Sequence, residues 1–341
     1  MIMRLTTPVH ITPVQATIDY SDKILLLGSC FADNVGEKLQ HHYFQTTINP
    51  FGTLYNPVSI AEAIRLAKAD AIECLPMVEW GGLWHSMTHH GVCSNANKGI
   101  AFQQCMASIA NLRQALREAS VIVITFGTAW IYEYSTQFPN VDNFSTKVVA
   151  NCHKMPANWF VRRRLSVEEI VSVWQPLINS MPDKHWIFTV SPIRHIKDGL
   201  HENQLSKSIL LQAVDSLAAK RSSDMTFNEP LISYFPAYEI MIDELRDYRF
   251  YADDMIHLSS KAVEYIWECF CQCYFSKETQ MVMKEWTEIK KAIDHKPFRP
   301  DSDAYRTFLS QIVLKMMQMK EKFPYLEVQK EMELCESRLK M

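Results

Sequence analysis

Short apolar runs bounded by turn residues alternate along most of this chain with longer segments whose apolar residues recur every three or four positions. Residues 23–27 form the first such run, between Ser21-Asp22 and Gly28, and predict a buried strand. Residues 32–42 follow with Val35 and Leu39 on one helical face. Pro57 opens a second predicted helix through residue 69, because proline suits the first turn. Residues 77–91, rich in Trp, His and Gly, read as irregular. Residues 100–119 carry Phe102, Met106, Ile109, Leu112 and Leu116 at helical spacing. Residues 121–126, rich in β-branched side chains, give the clearest strand signal, and Gly127 ends it. Arg162-Arg163-Arg164 reads as a solvated turn. Ser166 and Glu169 form a capping-box pattern ahead of a helix over 166–181. A strand over 184–190 closes at Ser191-Pro192, and helices are predicted over 203–221 and 259–275, with a short strand at Met225-Thr226-Phe227 between them.

Strands that alternate with helices predict an α/β fold: a parallel sheet with helices on both faces. Ligands in such folds bind beyond the carboxyl ends of the strands, where Gly28-Ser29, Gly127-Thr128 and Ser191-Pro192 fall. After about residue 277 only helical periodicity remains. Helices are predicted over 281–293 and 305–322, the latter with Phe308, Ile312 and Met316 spaced by four, and a last charged helix runs to 341. The expected division is an α/β domain over residues 1–277 and a C-terminal helical extension over 278–341. That extension should pack on the α/β core or join a second copy in a homo-oligomer.

Composition narrows the classes. The chain has 341 residues, 48% of them hydrophobic, enough for a large core. Net charge is −3 with both signs mixed and no basic stripe, which argues against a nucleic-acid partner. Nine cysteines, an odd number without a CxxC pair, read as free thiols of a reducing compartment. Residues 1–22 lack the apolar region of a signal peptide, and no run approaches a membrane span. A cytoplasmic protein is the expectation.

Two segments carry candidate chemistry. Gly28 permits a tight strand-to-helix turn that displays Ser29 beside the unpaired N–H groups of a helix start. Ser29 there is either a helix cap or a nucleophile. Downstream, Asp254 and His257 stand three apart just before Ser259, a spacing that lets the carboxylate hold one ring nitrogen while the other faces the serine. Cys30 shares the helix start, which can depress a thiol pKa, and is the minor candidate for nucleophile. Arg194, just past a strand end, offers either an anion clamp or a salt bridge to Asp198 or another nearby acid. His85 and His89 have a spacing that binds zinc on a helix, with His153 or Asp254 as a third ligand, but Gly81, Gly82 and Gly91 argue against a helix. No metal and no cofactor is therefore expected; His85, His89 and His90 are assigned with Trp80, Trp84 and Trp130 to a cleft wall or to ordinary packing.

Gly28-Ser29-Cys30-Phe31-Ala32 resembles the signature of the GSCFA family. So do Asn49-Pro50-Phe51-Gly52-Thr53, Phe126-Gly127-Thr128-Ala129-Trp130, Ser191-Pro192-Ile193-Arg194-His195 with Lys197-Asp198-Gly199, and Asp253-Asp254-Met255-Ile256-His257, over residues 24–273. That family is similar to the SGNH/GDSL hydrolases. The resemblance implies a flavodoxin-like three-layer fold and a triad of nucleophile Ser29, base His257 and orienting Asp254. It further implies oxyanion donation from the N–H of Gly52 and from the Ser29 or Cys30 amide. Ala129 stands where that superfamily has an oxyanion asparagine, so Thr128 or Asn151 is expected to substitute, and His257-Leu258 replaces the common His-Pro. The implied function is hydrolysis or transfer of an acyl ester, with an O-acetylated carbohydrate or similar small ester as substrate. The alternative is a catalytically weak or inactive domain that binds an acylated sugar or lipid.

Overall fold

A computed structural model describes residues 6–11, 14, 16–72, 75–139, 147–219, 230–295, 297–299, 302–324, 326 and 328–339. In chain order the elements are β1 (Lys23–Gly28), α1 (Cys30–His41), β2 (Gln45–Ile48), α2 (Pro57–Lys68), β3 (Met77–Trp80), β4 (Leu83–Ser86), α3 (Lys98–Glu118) and β5 (Val121–Phe126). There follow β6 (Trp130–Tyr134), β7 (Val148–Val149), β8 (Phe160–Arg164), α4 (Val167–Asn179), β9 (His185–Val190), α5 (Leu200–Ala219), β10 (Leu231–Phe235), α6 (Ala237–Glu239) and α7 (Ser260–Tyr274). The tail is α8 (Lys277–Asp294), α9 (Asp303–Lys322) and α10 (Gln329–Leu339).

The main sheet is wholly parallel, in the order β10-β9-β5-β1-β2. Counted along the chain its strands lie 2-1-3-4-5, the flavodoxin-like arrangement. Alternation divides each strand between two cores. Ile24, Leu26, Val121, Val123 and Ile187 face α1 and α7, while Leu25, Leu27, Ile122, Ile124 and Phe188 face α2 to α5. The result is the expected three-layer α/β fold. Helix starts follow the sequence signals: Asn56, Asn97, Ser259, Ser276 and Ser302 each accept a backbone N–H two or three positions inside the helix, and Ser166 with Glu169 completes a reciprocal capping box.

Two readings change. Residues 77–86 are not irregular. β3 and β4 form an antiparallel hairpin whose turn is Gly81-Gly82, with φ of 58° and 78°. Two consecutive positive φ values need glycine, so the pair that looks like a breaker makes the hairpin. Arg162, Arg163 and Arg164 are not a solvated turn but β8, paired antiparallel with β6. There they ion-pair with Asp198, with Glu133 and Glu169, and with Glu202 respectively. The strand expected at Met225-Thr226-Phe227 lies outside the described residues, and the described sheet has β10 and β2 at its edges.

The tail packs on the α1/α7 side. Trp286, Leu309, Ile312, Met316 and Val328 belong to the same buried cluster as Leu26 and Phe270, and Tyr43 stacks on Trp286 at 4.5 Å. Among the described residues no helix is long and apolar enough to cross a membrane.

Candidate active site

The parallel order reverses between β1 and β5, and the crevice at that switch point is built by the turns after each. After β1, Gly28 has φ of +139°, and a Cβ there would lie 2.1 Å from the Thr125 carbonyl oxygen. Only glycine lets β1 run so close to β5 and still turn into α1. Asn49 braces the turn: its Oδ1 accepts the Gly28 N–H at 2.8 Å and its Nδ2 donates to Asp33 at 2.7 Å. Ser29 then caps α1, accepting the Phe31 N–H at 3.4 Å, and lines a cavity of about 620 Å³.

His257 lines the same cavity from the loop before α7. Asp254 accepts both the Ile256 and His257 amides at 2.9 Å and holds His257 Nδ1 at 2.6 Å. The hydrogen bond from His257, with those amides, lowers the Asp254 carboxyl to about 2. The carboxylate fixes a proton on Nδ1 and leaves Nε2 with its lone pair. No direct hydrogen bond joins Ser29 to His257; both line the same cavity.

The other predicted residues fall out as follows. Cys30, Thr128, Asn151 and Arg194 line the cavity. The Cys30 thiol is raised, first by burial and then by Asp33, against the opposing helix-start amides and Lys207, so the expected depression does not occur. Gly52 is a correction. Its amide donates to Asn49 O at 2.7 Å inside a turn, and it is not part of the cavity wall, so it is not placed to hold an oxyanion there. The amide of Ser29 is likewise engaged, by Thr125 O at 3.1 Å. Ala129 is fully buried in the sheet core, with its N–H on Ser206 Oγ. Thr128 Oγ1 accepts the Trp130 N–H and meets Ser206 Oγ at 3.1 Å. Asn151 Oδ1 takes the His153 N–H, which leaves its Nδ2 as the free donor. Among the described residues Arg194 does not form the salt bridge expected with Asp198 or another nearby acid. Asp198 is held by Arg162, while the Arg194 guanidinium lies 3.9 Å from the Tyr251 ring centre. Trp130 and Tyr132, under Arg162, form an aromatic wall.

His85, His89 and His90 are not in that wall. Both ring nitrogens of His85 are used, by Ser94 Oγ and the Trp80 carbonyl, so the zinc pair with His89 does not form.

Two further residues stand at the site: His195, which follows a strand and is read from sequence as able to reach the pocket, and Lys207, which sequence reasoning missed. His195 follows β9, and its Nε2 is buried without a hydrogen-bond partner. A Cβ on Gly127 would sit 3.2 Å from Ser29 Cβ and 3.4 Å from that Nε2, so the two groups meet across a glycine. Burial, then Lys207, lowers His195 to about 3, and the ring is neutral. Lys207 is buried on α5 and donates to the Gly127 and Ser191 carbonyls at 2.7 Å each, tying the ends of β5 and β9 together. Burial lowers it to about 7. The only sequence signal was the register of a polar residue on the core face of a predicted helix.

A larger cavity, about 860 Å³, lies beside β2 against the tail, but its described lining contains no serine, cysteine or histidine. Fold and site thus define an α/β protein with a serine at the sheet's switch point and an aspartate-held histidine across the crevice. The chain belongs to the GSCFA family, whose model matches residues 23–270, and the model of the GSCFA domain protein C-terminal domain matches residues 286–341. A search of curated proteins and a search of solved structures each return no match.

Proposed function

We propose that this protein is a serine-dependent ester hydrolase or O-acyltransferase of SGNH/GDSL type, acting on an O-acetylated carbohydrate or a similar small ester. The observation that carries the reading is that Ser29 and His257, the latter held by Asp254, line one cavity at the switch point. Ser29 Oγ attacks the ester carbonyl as His257 Nε2 takes its proton. The collapsing intermediate expels an alkoxide, which the same nitrogen protonates. Water or an acceptor alcohol then takes the acyl group from Ser29 by the reverse sequence. Catalytic hydrogen bonds tighten once substrate is bound, so the open serine–histidine spacing is compatible with this role. With Gly52 outside the cavity wall and Ala129 apolar, a neutral His195 carrying its proton on Nε2 is a donor close to Ser29, and the Cys30 amide and Asn151 Nδ2 are further ones. One lost oxyanion donor costs on the order of 10²–10³ in rate, so His195→Ala should fall by about that factor. The Trp130 and Tyr132 faces suit a sugar ring.

The buried Ala129 favours a second reading, an acyl-sugar binding protein without turnover. A panel of short acyl esters and acetylated sugars separates the two. Turnover lost in Ser29→Ala and His257→Ala, with folding kept, supports the enzyme; binding without turnover in the unaltered protein supports the alternative.

A further inference from the structure

Behind the Asn49–Thr53 turn, and away from the cavity, three potential metal ligands converge. His89, Cys93 and Cys105 have ligand atoms within 4.8 Å of one another, and the residues are 0%, 6% and 0% exposed. They come from three places: the loop after β4, the short turn Gly91–Cys93, and the buried face of α3. His89 Nδ1 meets the hydroxyls of Ser86 at 2.9 Å and Thr88 at 3.0 Å. Its Nε2 is buried without a hydrogen bond of normal geometry. A proton on Nδ1 shared with those hydroxyls leaves the Nε2 lone pair available, which is how a ligating histidine is ordinarily oriented.

We propose that His89, Cys93 and Cys105 form a buried site for a thiophilic d10 cation, Zn(II) or Cu(I). Two thiolates and an imidazole select this class over hard cations such as Mg(II) or Ca(II). Metal–sulfur bonds of ~2.3 Å and metal–nitrogen bonds of ~2.0 Å would draw the ligand atoms to roughly 3.6–3.8 Å apart, a contraction of about 1 Å at most. Cys93, on a single turn, can supply that movement. Binding releases both thiol protons to solvent, and no redox change is involved. Cu(I) is satisfied by three ligands, whereas Zn(II) needs a fourth that these three residues do not supply, so the three-ligand set suits Cu(I) better. The ion would anchor the segment that stacks on Phe51 at 4.0 Å and so stiffen the turn bracing Gly28. The inference does not depend on ester chemistry.

The test titrates the reduced, metal-stripped full chain with Zn(II), and anaerobically with Cu(I), against a chromophoric chelator. Cys93→Ala, Cys105→Ala and, as a distant control, Cys271→Ala are compared. Removing an outer-shell partner costs roughly 10–100-fold in affinity, so losing a ligand should cost at least ~100-fold. The expected result is one tight equivalent in the unaltered protein and in Cys271→Ala, weakened by that factor in the other two. X-ray absorption of the loaded protein should show sulfur and nitrogen neighbours in a two-to-one ratio. Equal affinity in all four proteins, a first shell without sulfur, or isolation of the reduced-purified chain with a Cys93–Cys105 disulfide would overturn the proposal. Should both cysteine variants fail to fold, the absorption spectrum of the unaltered protein decides.

Discussion

At the scale of single residues, Ser29 and Lys207 define what the site can do. Ser29 both caps α1 and lines the cavity, and the cap holds it in place there. Lys207 sits behind it with a fully buried amine. Its folded pKa of about 7 lies below the unfolded value of about 10.4. Between those values the unfolded chain binds more protons, so this group makes stability rise with pH across that window. Below pH 7 both states are charged and the penalty is complete. In Lys207→Met the two carbonyls lose their donor, at a cost of about 1–3 kcal/mol each. Denaturant unfolding should therefore show the variant's deficit growing from pH 7 to pH 9.5. A deficit that stays flat over that range would mean that Lys207 stays charged when folded.

At the scale of elements, the turn after β1 is the piece most dependent on its neighbours. Asn49 serves the Gly28 amide and Asp33 at once. Asn49→Ala should destabilise the protein by about 1–3 kcal/mol, because a partly buried donor loses its acceptor, and should lower kcat more than KM as Ser29 loosens. An unchanged midpoint in urea would show that the strut is dispensable. This level also shows what the sequence could disclose. β1, β5 and β9, buried on both faces, are continuous apolar runs, and their signals are local. The Ser29, Asp254 and His257 segments are legible for the same reason, since a cap, a three-residue spacing and a motif lie within short windows. β2 and β8 are not. QTTI and FVRRR have little apolar pattern, and become strands only because β1 and β6 supply partners and carboxylates take up the arginines. The Gly52 misassignment has the same origin, since which way an amide points is decided by a turn, not by a motif.

At the scale of the molecule, two features are global. The tail helices share a core with β1 and α7, so deleting residues 278–341 should strip cover from Tyr43 and its cluster. The truncated chain should then melt lower and aggregate on heating. Full stability of the truncated chain would show the tail to be separable. Burial also lowers His42 and His153 to about 4 and His89 and His195 to about 3. The unfolded chain binds more protons than the folded one from these values up to about 6.5, so stability rises with pH there and falls on acidification. Each such histidine contributes about 1.4 kcal/mol per pH unit, and Tm should drop steeply between pH 6.5 and 4.5. A flat profile would mean the rings are protonated in place. The claim that all of this architecture serves an activated serine is tested most directly with a fluorophosphonate probe, mapping the modified residue by peptide mass spectrometry. The account predicts one adduct, on Ser29, lost in Ser29→Ala and strongly slowed in His257→Ala. An adduct on Cys30, or no adduct on the folded protein, would contradict it.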